Sequence, residues 1–360
     1  MKRRIFSLVM VLMFAFSLSA VAADKKYRWK MIETWTTGIP FHNVAQHFCD
    51  TVDEITDGQL TIKLFPAGAI VPAFEVFDAV RNGVAEMGHD WSGYWKGKDQ
   101  AFVAFASVPF GFDAMDYTMW FYGADGMELA NELYAEYGLI PFPTGNTGQE
   151  LGFFTKKPVN EISDMEGMKV RTVGWAADIL TQLGVSVSPM PGGEVYLALE
   201  RGVIDSAEFS SPSITLPMGF HEVAKNVVEP GWHQPSVQLM SMVNKKAYDK
   251  LPKHLQKAIE VAAKETQVWS MGYFEAKNAE AIREYKKAGV NFTKLSEDSL
   301  NELAKTSKAY LDGLRKKHPY LDKVLASQEN FKADFANWRD LRSGLAAWPY
   351  DQYIDGKHFQ

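Results

Sequence analysis

The stretch Pro191-Gly-Gly-Glu-Val-Tyr-Leu-Ala-Leu-Glu-Arg-Gly-Val-Ile-Asp-Ser-Ala-Glu-Phe209 lies at the centre of the segment that decides the fold, residues 168–209. Three short β runs alternate in this segment with two helical runs. The predicted strands are 169–172, 185–190 and 206–209, and the predicted helices are 175–183 and 193–201. Gly184 and Gly202 follow the two helices, where glycine commonly ends a helix. Strict alternation with short links predicts parallel strands joined by right-handed crossovers.

Two charged residues lie near the carboxyl ends of these strands, Arg171 on the first and Glu208 on the third. Ligands of open parallel sheets bind at such strand ends. A surface arginine is the simpler interpretation of Arg171. The strand-end position favours a carboxylate clamp, since a guanidinium makes two parallel bonds to a planar anion. Glu208 stands between Ala207 and Phe209, and a buried acid there needs a partner or a metal.

Residues 72–91 repeat the same unit at an offset of 119. Six identities support this alignment: Pro72/Pro191, Glu75/Glu194, Val76/Val195, Ala79/Ala198, Gly83/Gly202 and Val84/Val203. The repeat predicts two lobes of similar topology, each a small α/β sheet. Residues 89–94 then correspond to Glu208 and Phe209, and a cleft between the lobes would place these segments opposite one another. Trp91 and Tyr94 are either core aromatics or walls of a small apolar pocket.

The remaining segments predict the links and the C-terminal helices. A strand at 27–33, a helix at 41–56 and a strand at 59–65 precede the repeat, and 145–155 and 222–244 are the candidate crossings between lobes. The predicted C-terminal elements are a long helix at 255–287, a strand at 290–292 and helices at 297–316 and 331–345.

The first residues have the order of a secretory signal peptide. Lys2, Arg3 and Arg4 precede an apolar run at 5–18, and Ala20-Val-Ala-Ala23 follows. We expect cleavage after Ala22 or Ala23 and a periplasmic location, with a membrane anchor as the alternative. Loss of three basic residues takes the formal net charge from −6 to −9, which argues against a nucleic-acid or anionic-surface partner. Cys49 is the lone cysteine, so the exported chain has no internal disulfide.

The sequence contains no common catalytic signature. It lacks the G-x-S-x-G, H-E-x-x-H, Walker and dinucleotide motifs, and its eight histidines have no metal spacing. Gly192-Gly193 before a helix is a weak phosphate signal. Asp205 and Glu208 are three apart on a strand and face opposite sides, which does not support a paired-carboxylate hydrolase. We therefore expect a protein that is not an enzyme.

The motif Pro191–Glu208, together with Phe65-Pro-Ala-Gly, Pro72–Val80 and Gly88-His-Asp-Trp-Ser-Gly-Tyr-Trp95, resembles the periplasmic solute-binding proteins of TRAP (tripartite ATP-independent periplasmic) transporters. The similarity is to the branch that binds 2-oxo acids and lactate. It implies a two-lobed α/β periplasmic binding protein with hinge strands, a long helix spanning both lobes, and ligand-driven closure. We expect a signal peptide at 1–23, lobe I at 24–147 and 236–275, lobe II at 148–235 and 276–330, and a C-terminal helix and tail at 331–360.

The resemblance also implies the roles of particular residues. Arg171 is expected to pair with the substrate carboxylate, and a metal ion to bridge substrate and protein. The implied metal ligands are Glu208, the main chain of Phe209, Gln149 and Gln234. The expected substrate-binding residues are Arg171, Gln149, Glu208, Trp91, Tyr94, Phe209 and His233. Phe209 stands where tryptophan is expected, and Gln234 where an acid is often found.

A charge count indicates which metal to expect. Arg171 offsets one carboxylate, and the substrate and Glu208 supply two, so one further positive charge is needed in a closed cleft. This favours Na⁺, with a metal-free site as the alternative. An acid at position 234 would favour Ca²⁺, which is also possible here.

The predicted function is capture of a small monocarboxylate, either a 2-oxo acid such as pyruvate or a 2-hydroxy acid such as lactate, for delivery to TRAP membrane subunits. A periplasmic sensor that presents an organic acid to a signalling receptor is the alternative, and a hydrolase is a third class. Residues 338–353 have more apolar surface than an isolated end helix can hide, and some relatives exchange such a helix. We therefore expect a homodimer.

Overall fold

The structure, a computed structural model, describes residues 25–346 and the side chains of residues 25–341. The predicted signal peptide at 1–23 lies outside the described residues, and so does the tail beyond residue 346. Between residues 25 and 346, no helix combines the length and the apolar character that a membrane crossing requires.

Strands and helices alternate through most of the described chain. The strands are β1 (Tyr27–Glu33), β2 (Leu60–Phe65), β3 (Met87–Asp90), β4 (Leu139–Gln149), β5 (Phe154–Thr155), β6 (Lys169–Arg171), β7 (Ser186–Val187), β8 (Ser206–Ala207), β9 (Asn226–Glu229), β10 (Ser236–Asn244) and β11 (Asn291–Lys294). The helices are α1 (Phe41–Ile55), α2 (Val76–Arg81), α3 (Ala101–Ala104), α4 (Ala114–Gly123), α5 (Gly126–Glu136), α6 (Gly174–Gln182), α7 (Gly192–Glu200), α8 (Pro212–Thr215), α9 (Phe220–Val223), α10 (Lys245–Tyr248), α11 (Lys253–Lys287), α12 (Glu297–Arg315) and α13 (Pro319–Ala346). Short 3₁₀ turns occupy Ala73–Glu75, Ser92–Gly97 and Ile162–Met165.

The strands form two sheets, one for each predicted lobe. The first sheet has the order β2-β1-β3-β10-β4, and the second has the order β11-β9-β5-β8-β6-β7. Within the second sheet, β6 is parallel to both β7 and β8, which confirms the parallel arrangement predicted from residues 168–209. The two-sheet α/β architecture predicted from the sequence is therefore confirmed.

The repeated unit is present in both sheets. The order β2-β1-β3 in the first sheet matches β7-β6-β8 in the second, with all of these pairs parallel. The second copy has shorter strands than predicted. Pro189 and Pro191 lack the N–H that a continued β7 would need, and the carbonyl of Glu208 accepts from Arg171 Nη1 instead of a neighbouring strand. The chain beyond β7 and β8 therefore makes side-chain contacts instead of extending the sheet.

Helix α1 shows how local pattern positions the first lobe. Val44, Phe48 and Val52 recur at helical spacing and are fully buried against the first sheet. Ile55, at the same spacing, is 46% exposed because the helix ends there. Phe77, Phe102 and Trp120 fill the other side of this lobe and are fully buried.

Two long strands and one long helix join the lobes. Strands β4 and β10 pair antiparallel, with register shifts near Gln238 and Leu239. Helix α11 packs along β4, and Gln238 and Gln267 exchange amide hydrogen bonds of 2.9 and 3.0 Å. Further along the same helix, Asn278 accepts from the N–H of Ser213 in the second lobe. The predicted long helix spanning both lobes is confirmed, and it begins at Lys253 after Pro252.

The C-terminal helices form a pair that contacts both lobes. Tyr310 of α12 donates to Asp178 of α6, whereas Ser327 of α13 accepts from Trp120 of α4. The predicted helix at 331–345 is the second half of a longer helix that begins at Pro319. Proline fits the first turn of a helix, and Leu321 and Val324 near its start are fully buried. The helix therefore begins before residue 331, where the apolar spacing predicted its start.

Candidate functional site

A small cavity lies where the two lobes meet. Its lining comes from both lobes and from the return crossing: Phe41, Trp91, Tyr94, Arg171, Val173, Phe209, Gln234 and Val237. The cavity is narrow, with only about 10 Å³ of room for a water-sized sphere, far less than in the sites of drug-sized ligands. Any ligand held between these residues must therefore be small.

Arg171 is the cationic group of the cavity, and it is 1% exposed. Its Nη1 donates to the carbonyl and to Oε1 of Glu208, at 2.8 and 3.0 Å. Its Nε and Nη2 each donate to the carbonyl of Met190 at 3.2 Å, and its guanidinium lies 5.1 Å from the ring centre of Phe209. The guanidinium of Arg171, predicted to clamp a carboxylate, is therefore held by Glu208 on one side and by the Met190 carbonyl on the other.

Glu208 also belongs to a buried cluster with Glu150 and His233. The His233 Nε2 atom is 3.5 Å from Glu208 Oε2 and 3.7 Å from Glu150 Oε2. One ligand atom from each residue lies within 4.8 Å of the others. These three side chains are at most 2% exposed.

Several atoms of this cluster have no hydrogen-bond partner. They are both carboxylate oxygens of Glu150, Oε2 of Glu208 and both ring nitrogens of His233. Buried polar atoms without partners are costly, and native structures leave few of them. Two carboxylates and an imidazole around one point are a suitable donor set for a cation, so the residues present fit a bound metal ion.

The two acids of the cluster titrate in opposite directions. Burial, followed by the charge of Glu208, raises the pKa of Glu150 well above its usual range. Burial alone would also raise the pKa of Glu208, but Arg171 and then His233 outweigh burial and lower it. Glu208 therefore keeps its negative charge in the cleft.

The predicted site residues fall into two groups. Trp91, Tyr94, Arg171, Phe209 and Gln234 line the cavity, and Glu208 and His233 form the cluster beside it. Gln149 lies apart: its side chain is exposed, and its Nε2 donates to the carbonyl of Glu150 at 3.3 Å.

The side chain that joins the cluster from this segment is that of Glu150, which the sequence analysis missed. Strand alternation gives Gln149 and Glu150 opposite faces, but it does not say which face is inward. Gly148, with a φ of +73°, lies near the end of β4 and interrupts its regular alternation just before these two residues.

The first-lobe wall contributes two aromatic donors. Trp91 is 4% exposed, and its Nε1 is buried with no hydrogen-bond partner. The Tyr94 hydroxyl accepts from Trp35 Nε1 at 3.4 Å and lies within electrostatic reach of Arg171. A ligand oxygen in the cavity could therefore accept from the Trp91 indole.

The lobes touch around the cavity. Lys96 of the first lobe donates to the Gly174 carbonyl at 3.0 Å and to Asp178 at 2.6 Å. Trp175 donates to Gln100 of the first lobe at 2.9 Å. A Cβ at Gly174 would lie 2.8 Å from Trp91 Cη2, so this contact requires glycine. These bonds keep the lobes together over the cavity.

The chain is similar in sequence to one protein family and to a characterised relative. The sequence model of DctP, described as bacterial extracellular solute-binding protein, family 7, matches residues 31–317. A monocarboxylate 2-oxoacid-binding periplasmic protein of Nostoc sp. is 32% identical over 330 residues, which cover 92% of this chain and 88% of that protein.

Two solved structures are similar over nearly the whole described chain. A TRAP periplasmic solute-binding protein from Pseudoalteromonas atlantica, with bound sodium and pyruvate, is 35% identical with a TM-score of 0.87 and covers 91% of this chain and 100% of that one. One from Colwellia psychrerythraea, with bound calcium and pyruvate, is 36% identical with a TM-score of 0.86 and covers 90% and 100%.

Proposed function

The chain belongs to bacterial extracellular solute-binding protein family 7, the DctP family of TRAP transporter receptors, and from this premise we propose that it captures a small 2-oxo monocarboxylate such as pyruvate. Members of this family are periplasmic solute receptors rather than enzymes, and they work with TRAP membrane subunits. The observation that carries the proposal is the small cavity between the lobes, with Arg171 on one side and the unpartnered carboxylate oxygens of Glu150 and Glu208 beside it.

The acid is recognised by charge at one end and by shape at the other. Arg171 supplies the positive charge for the carboxylate, and the indole N–H of Trp91 supplies a donor for a second oxygen. Phe41, Val173 and Val237 close the apolar side of the cavity and would contact the short carbon chain of such an acid. The choice of a 2-oxo acid is supported by the similar protein that is named as 2-oxoacid-binding and by the two similar structures with bound pyruvate.

A cation is the second part of the proposal. Glu150, Glu208 and His233 would hold it, with the Phe209 carbonyl and the Gln234 amide beside them; Gln149 would have to turn inward to join. The cation supplies positive charge that lets a substrate carboxylate enter a site already lined by acids. The charge count calls for one positive charge when Glu150 is protonated and for two when it is ionised. One solved relative has sodium bound with pyruvate and another has calcium bound with pyruvate, so cations of either charge occur in proteins similar to this chain.

The decisive experiment is to identify the ligand and then titrate it. Mass spectrometry of acids released from the purified protein should reveal a short 2-oxo acid, and calorimetry should compare pyruvate, lactate and longer 2-oxo acids. Titrations in sodium, potassium and calcium buffers, with and without chelator, identify the cation. Gln234→Glu should gain calcium dependence, whereas Glu150→Gln should keep the sodium dependence of the wild type, because the raised pKa of Glu150 already keeps that side chain neutral. Absence of acid binding in every buffer would refute the proposal.

We also propose export and self-association. The order of residues 1–23 supports a signal peptide cleaved after Ala22 or Ala23, which N-terminal sequencing of the exported protein tests. Trp338 and Leu341 of α13 are 56% and 76% exposed, and Met115 of neighbouring α4 is 43% exposed. Exposed apolar side chains on two neighbouring helices support a homodimer, and light scattering at concentrations well above micromolar should show twice the monomer mass.

A further inference from the structure

Phe110 has an unusual backbone for a bulky side chain. Its φ is +56°, in the left-handed region that glycine and asparagine favour, and its ring is 38% exposed. Residues held in this region persist only where their surroundings dictate it, and they cluster at functional sites. The contacts that hold Phe110 therefore indicate what its position serves.

Three contacts fix this residue. Its N–H donates to the carbonyl of Trp232 at 2.8 Å, and its ring stacks on the Trp232 indole with centroids 5.8 Å apart. On the other side, Lys332 of α13 donates to the carbonyls of Phe110 and Gly111, at 3.1 and 2.9 Å. The ammonium group of Lys332 is thus hydrogen-bonded to the backbone of residues 110–111.

Trp232 is directly connected to the buried cluster. It precedes His233, and the two rings are 5.9 Å apart. The same turn also packs closely on the backbone next to the cluster, because a Cβ at Gly231 would be 2.7 Å from the main-chain carbonyl oxygens of Glu150 and Leu151. Any shift of the turn at 231–234 would therefore move His233 relative to Glu150 and Glu208.

We propose that Phe110 and Lys332 are positioning residues, which fix the turn at 231–234 and thereby link the C-terminal helix α13 to the Glu150–Glu208–His233 cluster. The inference rests on the proposed function, since it assumes that this cluster and the adjoining cavity bind an acid together with a cation. Neither residue lines the cavity, so both act on the ligand only through the turn.

The first test compares two lysines on the same helix. Lys332→Met should weaken pyruvate affinity about tenfold and raise the half-saturating cation concentration, as loss of a ligand-orienting contact does at metal sites. Lys323→Met is the matched control, because Lys323 pairs with Glu132 on the first lobe at 2.6 Å, away from the turn. It should leave both values unchanged. Lys332→Arg retains donors for the two carbonyls and should restore most of the affinity.

The second test separates the ring from the backbone. Phe110→Asn tolerates the positive φ but removes the stacking, so it should bind pyruvate more weakly at unchanged thermal stability. Phe110→Tyr keeps the ring and should bind as the wild type does. Melting temperatures are measured without ligand for every variant.

The outcomes distinguish this inference from the proposed function. A wild-type protein that binds no acid refutes the proposed function. A wild type that binds pyruvate, with Lys332→Met and Phe110→Asn equal to it, overturns the positioning role. A lower melting temperature of Lys332→Met at unchanged affinity and cation dependence would likewise overturn it, because the lysine would then be only structural.

Discussion

The two copies of the repeated β-α-β unit differ most at the carboxyl ends of their strands. In the second lobe, Arg171 ends β6 and contacts Glu208 just beyond β8. In the first lobe, Glu33 ends β1 beside His89 and Asp90 at the end of β3. All five side chains are buried, yet only the second lobe contributes a guanidinium.

That difference decides which lobe keeps its charge. Arg171 outweighs burial and lowers the pKa of Glu208. In the first lobe, burial raises the pKa of Asp90 to about 7 and lowers the pKa of His89 to about 3. Burial also raises the pKa of Glu33, whose partner is His42. The same topology thus yields a charged Arg171–Glu208 pair in one lobe and a less charged end, at His89 and Asp90, in the other.

Replacing Arg171 should produce the largest loss of ligand affinity. Lysine keeps the positive charge but lacks the planar fork with which Arg171 reaches the Met190 carbonyl and Glu208 on its two sides. We expect Arg171→Lys to weaken binding by about 1.5–3 kcal/mol, the usual worth of a hydrogen bond to a charged group. Calorimetric titration with pyruvate and lactate measures this, and unchanged affinity for the acid that binds would contradict it.

The matched acids Glu208 and Glu33 test the comparison directly. Glu208→Gln should weaken pyruvate binding about tenfold, because it removes a charge from the proposed cation site. Glu33→Gln, in the first lobe, should leave the affinity unchanged, since Gln can still accept from His42 and Glu33 does not line the cavity. Titrations under one sodium or calcium condition measure both, and equal losses would show that the lobes share the charge requirement.

Much of the fold follows from local pattern. The glycine stops, the alternation of residues 168–209 and the repeat at an offset of 119 are short-range features, and they predicted the parallel order seen in both sheets. The ends of β7 and β8 were less predictable, because they depend on prolines and on the bonds of Arg171 rather than on apolar spacing.

The site was predictable only where chain direction fixes the side chain. Arg171 and Glu208 follow from the strand-end rule, and the structure brings them into contact. Glu150 could not be predicted from the sequence. The positive φ of Gly148 interrupts the strand alternation, so the pattern does not indicate which side chain points inward. Phe110 gives no sequence signal, since its backbone is fixed by Trp232 and Lys332, which are distant in the chain.

Contact between the lobes is tested by two glycines with similar backbone. Gly174 and Gly202 have φ values of +65° and +71°, so an alanine at either should cost roughly 1–2 kcal/mol of folding stability. Only Gly174 contacts the other lobe, through Trp91. Gly174→Ala should therefore also weaken pyruvate binding about fivefold, because about 1 kcal/mol of closure free energy is lost. If Gly202→Ala weakened binding equally, the effect would not come from closure.

The smallest effect on affinity is expected at Asp90. There the weak charge of the first-lobe strand end is tested by the pH dependence of folding stability instead. Asp90 is fully buried, and Trp95 Nε1 donates to its Oδ2 at 2.9 Å, a bond that asparagine can also accept. Because burial raises its pKa to about 7, the folded protein holds a proton on Asp90 that the unfolded chain releases near pH 4. The contribution of Asp90 to stability is therefore present at low pH and is lost as the pH rises toward 7, by up to about 1.4 kcal/mol per pH unit.

Asp90→Asn should remove this loss of stability. In urea denaturation the free energy of unfolding of the variant should therefore rise relative to that of the wild type from pH 4.5 to 7, and the difference should stay constant above pH 7. Asp249→Asn, at an exposed position, is the control and should follow the wild type. A constant offset between Asp90→Asn and the wild type at every pH would show that Asp90 is charged in the fold, and the contrast between the lobes would then fail.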